Sequence, residues 1–86
     1  MPEISRFFGI RIRTYNHDHL PAHFHAVYAD DEVLIEIDTL GIYSGKLPNR
    51  ALTMVLEWAA QYRDDLRLNW ALAQSGRRPE PIPPPK

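Results

Sequence analysis

Apolar positions alternate along the first half of the chain and wind along the second. Ile4 to Phe8 and Ile10 to Tyr15 are rich in β-branched and aromatic residues, and Gly9 between them predicts two strands joined by a tight turn or bulge. In the second run Ile10, Ile12 and Thr14 share one face, while Arg11, Arg13 and Tyr15 share the other. Asn16 to Ala22 carries Asn, Asp and Pro and reads as a loop. Pro21 biases Leu20 toward extended backbone, which suits entry into another strand. That strand runs from His23 to Tyr28, with His23, His25 and Val27 on one side and Phe24, Ala26 and Tyr28 on the other. Asp30-Asp31 predicts a turn. Glu32 to Thr39 then alternates, with Val33, Ile35 and Ile37 inward and Leu34, Glu36 and Asp38 outward. Gly41 and Gly45 bracket Ile42-Tyr43-Ser44, an edge strand or an irregular connection.

From Pro48 the period changes. Leu52, Val55, Leu56, Ala59, Tyr62, Leu66, Trp70 and Ala73 follow the three-and-four spacing of an amphipathic helix. Pro48 suits the first turn, where its missing N–H has no partner in any case, and Gly76 suits the C-terminal stop. The prediction is one long helix of roughly 26 residues, about 39 Å at 1.5 Å per residue, projecting beyond the sheet or bending near Gln61 to Asp65. Residues 77–86 hold five of the eight prolines and predict an extended polyproline-type tail. As a free chain that tail is expected to be disordered, and on a partner it would lie in a groove. The expected fold is α+β: an antiparallel sheet of four or five short strands, packed by the helix on its Ile/Val face, with residues 1–76 as one domain. One helix covers one face only. The other is expected to be solvated or covered by a second subunit, as a homo-oligomer or a heteromer.

Composition narrows the classes. Eighty-six residues with 44% hydrophobic and 24% charged side chains make a single small folded domain rather than a disordered chain. A formal charge of −1 gives no general attraction to nucleic acid or anionic lipid, so a nucleic-acid partner is possible without being indicated. The absence of cysteine excludes disulfides, thiolate metal sites and a cysteine nucleophile. With no signal-like opening and no membrane-spanning run, the expectation is a cytoplasmic protein.

All four histidines fall between His17 and His25. Three readings of this cluster stand. In the first, the rings are packed and hydrogen-bonded and shape the loop, which is the expected role of His17. In the second, His23 and His25 point from one strand face, and His19 folds back to complete a three-histidine site for zinc, nickel or copper. Asp18, Glu36 or Asp38 would then serve as fourth ligand or outer partner. In the third, His23 and His25 are base and acid of a metal-free endoribonuclease, with Arg11, Arg13 and Lys46 holding phosphate. On the helix, Tyr62 and Trp70 are expected to pack, and Trp58, near the edge of the stripe, to face a partner.

The run Asp18-His19-Leu20-Pro21-Ala22-His23-Phe24-His25, the Met1-Pro2-Glu3-Ile4-Ser5-Arg6-Phe7 opening and Gly45-Lys46-Leu47-Pro48 before Arg50-Ala51-Leu52 form a set with Glu57-Trp58 and Asn69-Trp70. On these motifs the chain resembles the short bacterial proteins catalogued as domain of unknown function 4160. The resemblance departs at Ala22, where a second proline is expected. It implies one half of a two-protein, toxin–antitoxin-like module whose partner is a small protein of the family catalogued as domain of unknown function 2442. It supplies no catalytic residues. The leading expectation is thus an interaction component with the histidines near its working surface. The alternatives are a histidine-based endoribonuclease and a small histidine-ligated metalloprotein.

Overall fold

The computed structural model describes residues 3–86, so Met1-Pro2 of the opening motif lies outside the described residues. Five strands, β1 (Glu3–Phe7), β2 (Ile10–Arg13), β3 (His23–Tyr28), β4 (Asp31–Glu36) and β5 (Ile42–Gly45), precede two helices, α1 (Asn49–Gln61) and α2 (Arg63–Gln74). The strands form one antiparallel meander in the order β1-β2-β3-β4-β5. Phe8 and Gly9 both take positive φ, 52° and 77°, in the two-residue turn between β1 and β2. That geometry matches the right-handed twist of the flanking strands, and glycine adopts it without steric cost.

The alternation sorts the faces as the spacing implies. Ile10, Ile12, Phe24, Ala26, Val33 and Ile35 are almost wholly buried and form one core with Ala51, Val55, Trp58 and Ala59 of α1. Apart from the buried His23, the opposite face carries half-buried or exposed side chains, among them Arg11, Arg13, Val27 and Leu34. Ile42–Gly45 is an edge strand with all four residues exposed. Gly45 closes it at φ +81°, where a Cβ would collide with the Glu32 carbonyl.

Two expectations need correction. The C-terminal helix is not one long rod but two helices, broken at Tyr62 (φ −121°, ψ 29°), inside the Gln61–Asp65 span where a bend is the alternative expectation, with neither glycine nor proline at the break. The Tyr62 N–H is shared between the Trp58 and Ala59 carbonyls at 3.2 Å each. The reason is tertiary. A straight rod of about 39 Å would exceed the longest dimension of the molecule, 33 Å, whereas the break carries Leu66 into the core and sets the Arg63 guanidinium on the Ile37 carbonyl. The tail is likewise not free. Ile82 is buried in the core and its N–H donates to the Ile4 carbonyl at 2.7 Å, covering part of the β1 edge. The Asn69 amide donates to the Glu80 carbonyl and accepts from the Glu80 N–H, each at 2.8 Å.

Trp58 is therefore a core residue rather than an interface one. It is fully buried, and its indole N–H donates to the Pro83 carbonyl at 2.8 Å. Apolar helix residues and an irregular proline segment thus close one hydrophobic unit, with the tail's backbone groups satisfied by side chains as burial requires. Among the described residues no helix is long and apolar enough to cross a membrane.

Candidate metal centre

Period-two alternation in β3 sends the His23 and His25 rings to the same face of the sheet, away from α1. The loop before β3 brings the third group. Its backbone is tied to α2 by the His17 N–H on the Ala73 carbonyl and by the Gln74 amide on the Asp18 carbonyl. This places the Asp18 side chain over the two rings. Its Oδ2 lies 3.1 Å from His23 Nε2 and 3.0 Å from His25 Nε2. The His19 backbone N–H donates to Oδ1 at 2.8 Å and sets the carboxylate's orientation.

Partners on the far side of each ring fix the protons. His23 Nδ1 is 2.7 Å from the Pro21 carbonyl, which can only accept, so this nitrogen carries the hydrogen. His25 Nδ1 is 3.0 Å from Glu32 Oε2 and donates in the same way. Both Nε2 atoms are then turned toward Asp18. The His25 contact is a hydrogen bond if that nitrogen is protonated, and otherwise asks for a cation shared with the carboxylate. The His23 contact lacks hydrogen-bond direction. His23 Nε2 is consequently a buried ring nitrogen with no hydrogen-bond partner, on a side chain that is 0% exposed. Donor atoms of Asp18, His23 and His25 all lie within 4.8 Å of one another.

Aromatic rings wall the cluster. The His23 centroid is 4.8 Å from His19, 5.1 Å from His25, 5.2 Å from Trp70 and 5.9 Å from Tyr43. Tyr43 reaches it from β5, where a register irregularity near Leu34/Ile35 re-aims the edge strand. Tyr15 stands edge-on to His25 at 4.5 Å. For the Asp18 carboxyl, burial pushes the pKa up. The His25 hydrogen bond, the His19 N–H and the nearby charge of His23 and His25 outweigh it and hold the group below its ordinary value.

The structure distributes the sequence-derived site residues unevenly. His23 and His25 meet, as their shared strand face requires. His19 stays at the rim, largely exposed, with Nε2 3.6 Å from Asp18 Oδ1. His17 lies outside the cluster at φ 56°. Arg11 and Arg13 lie on the same face, and Arg13 sits directly across from His25 in the β2–β3 pairing. The Lys46 side chain is exposed and makes no hydrogen bond or ion pair among the described residues. Of the carboxylates named with Asp18, Asp38 is taken by Arg67 at 3.1 Å.

Glu32 was missed because the turn was placed one residue late. The turn residues are Ala29-Asp30, so His25 pairs with Leu34 and lies diagonal to Glu32. A turn at Asp30-Asp31 would have set His25 against Glu36 instead. Trp70 and Tyr43 as ring partners left no local signal.

A small α+β protein with two histidines and one aspartate converging at the end of its sheet is the class that fold and site define. Residues 9–71 match the family model described as Domain of unknown function (DUF4160), and the chain belongs to that family. The match spans every residue of the cluster. A search of curated proteins and a search of solved structures each return no match.

Proposed function

We propose that this chain is a small mononuclear metalloprotein whose ion is held by Asp18, His23 and His25. The observation that carries this reading is the His23 Nε2 atom, buried, without a hydrogen bond and directed at the Asp18 carboxylate. An unsatisfied polar atom in a fully buried site costs about 1–3 kcal/mol, and a bound cation removes that cost. Two of the three separations come close. Ligands about 2.0–2.1 Å from a tetrahedral ion stand about 3.3 Å apart, a few tenths beyond the 3.0 and 3.1 Å seen between the rings and Asp18; the two ring nitrogens are held to within 4.8 Å of each other. Each histidine donates its other N–H to a carbonyl or a carboxylate, the usual outer partnership of a metal-bound imidazole. Two imidazoles and a carboxylate suit zinc or nickel, and three protein ligands leave a coordination position for an exogenous group.

Titration of the purified, chelator-treated chain with cobalt(II) and zinc(II) tests this. One equivalent should bind, with a tetrahedral cobalt spectrum, and Asp18→Ala and His25→Ala should each lose it. Metal uptake that these variants leave unchanged would sink the reading.

A second reading, an interaction component of a two-protein toxin–antitoxin-like module, is favoured by a different observation. Leu20, Ile42 and Tyr43 are exposed beside the cluster, and beyond the part covered by the Asp18 loop and Trp70 the sheet face opposite α1 leaves Arg11, Arg13, Val27 and Leu34 half-buried. Co-expression with the small cognate protein, followed by size-exclusion chromatography with light scattering, tests it. The metal-free endoribonuclease gains nothing from this geometry, since neither ring presents an unengaged, solvent-facing nitrogen to a ribose hydroxyl.

A further inference from the structure

The sheet face that bears the histidines carries several charged side chains, and they are not equally matched. Arg6 is engaged by Glu3 in a two-pronged ion pair at 2.8 and 3.0 Å. Glu32 is engaged by His25. Asp38, just beyond β4, is engaged by Arg67 of α2, which also pairs with Asp64. Arg11 and Arg13 are half-buried and have no side-chain hydrogen bond or ion pair among the described residues; Glu3, across from Arg13 on β1, feels the charge of both but bonds to Arg6. Arg13 is the direct cross-strand neighbour of His25, so their Cβ atoms stand about 5 Å apart. Arg11 is the next residue on that face, about 7 Å further along β2. Two arginines of β2 therefore stand on the His25 side of the centre, Arg13 beside it and Arg11 one row further off.

Resting on the metal reading above, we propose that Arg11, Arg13 and the open coordination position together bind the phosphoryl group of a small phosphate ester. Oxygen count selects the ligand. The ion takes one oxygen, and two guanidiniums each need at least one more. A terminal phosphoryl group gives each partner an oxygen of its own and carries more charge, whereas a carboxylate must share one oxygen between two of the three. Charge agrees: with a divalent ion bound, Glu3, Asp18, Glu32 and Glu36 are outweighed by the ion and Arg6, Arg11 and Arg13. The Tyr15 ring against His25 supplies an apolar wall on the arginine side. A small ester fits better than a polynucleotide because the wider face has its remaining charges paired and the chain carries a formal charge of −1.

The test uses the full chain loaded with cobalt(II), titrated with inorganic phosphate, phenyl phosphate, acetate and a short single-stranded RNA. Calorimetry and the cobalt spectrum are the readouts. Phenyl phosphate should perturb the spectrum and bind at least tenfold more tightly than acetate. Arg13→Gln and Arg11→Gln should each weaken phosphate binding by about tenfold to a hundredfold, with metal stoichiometry and circular dichroism unchanged. Failure to take up metal sinks the centre itself. Normal uptake with undiminished phosphate affinity in the arginine variants overturns the subsite alone. RNA binding more than tenfold tighter than phenyl phosphate would overturn the small-ligand assignment in favour of a nucleic-acid surface.

Discussion

Replacing Asp18 with alanine separates what the carboxylate does for the fold from what it does for an ion. In chelator, the variant loses the 3.0 Å contact to His25 and the 2.8 Å bond from the His19 N–H. Charge-assisted bonds of this kind are worth about 1.5–3 kcal/mol. The side chain is only 16% exposed, so solvent screening removes little of that. An expected loss of about 2 kcal/mol corresponds to a melting temperature lower by roughly 8–16 °C for a domain of this size. Adding zinc at a hundred times its dissociation constant should stabilise the parent chain by about 2.7 kcal/mol and the variant by almost nothing. Because the Asp18 pKa is depressed in the folded chain, its contribution is complete above the ordinary carboxyl range and falls away as pH drops through the folded value. The gap between parent and variant should therefore narrow in acid. Urea unfolding with and without zinc, from pH 7 down to pH 3, measures all three effects. A variant within 0.5 kcal/mol of the parent in chelator would refute the structural half of the argument, and an equal zinc response would refute the other half.

Other substitutions probe separate parts of the molecule. His19→Ala should keep one equivalent of metal with affinity changed less than about threefold (under ~0.7 kcal/mol), since its ring is 57% exposed at the rim; loss of stoichiometry would restore the three-histidine site. Gly45→Ala places a side chain at φ +81° against the Glu32 carbonyl and should cost at least about 1–2 kcal/mol, read by urea denaturation. A cost below that range would mean the edge strand yields easily. Asn69→Ala leaves the Glu80 N–H and carbonyl without their partner. It should speed exchange of the Ile82 amide more than amides of β3, and uniform exchange would show that the tail is not latched there.

The second half of the cluster's chemistry was hidden for a definable reason. His23 and His25 share a face because strands have a period of two, and this follows from the residues alone. Asp18 arrives from a loop whose course is set by contacts to Ala73 and Gln74, more than fifty positions away. The sequence offers Asp18 only as one of three carboxylates beside Glu36 and Asp38, and spacing along the chain does not say which of them reaches the rings. Glu32 depended on the hairpin turn: moving it by one residue changes every cross-strand partner.

Alternating Ile and Val positions, the switch to helical spacing after Pro48 and the pairing of two imidazoles on one face are properties of local periodicity, so the chain alone determined them. The helix break at Tyr62, the tail's return to Ile4, the burial of Trp58 and the delivery of Asp18 to the rings were decided only by the folded whole. Each depends on groups distant in sequence competing for the same buried space, and that competition is resolved by packing and hydrogen-bond satisfaction rather than by any residue's own preference.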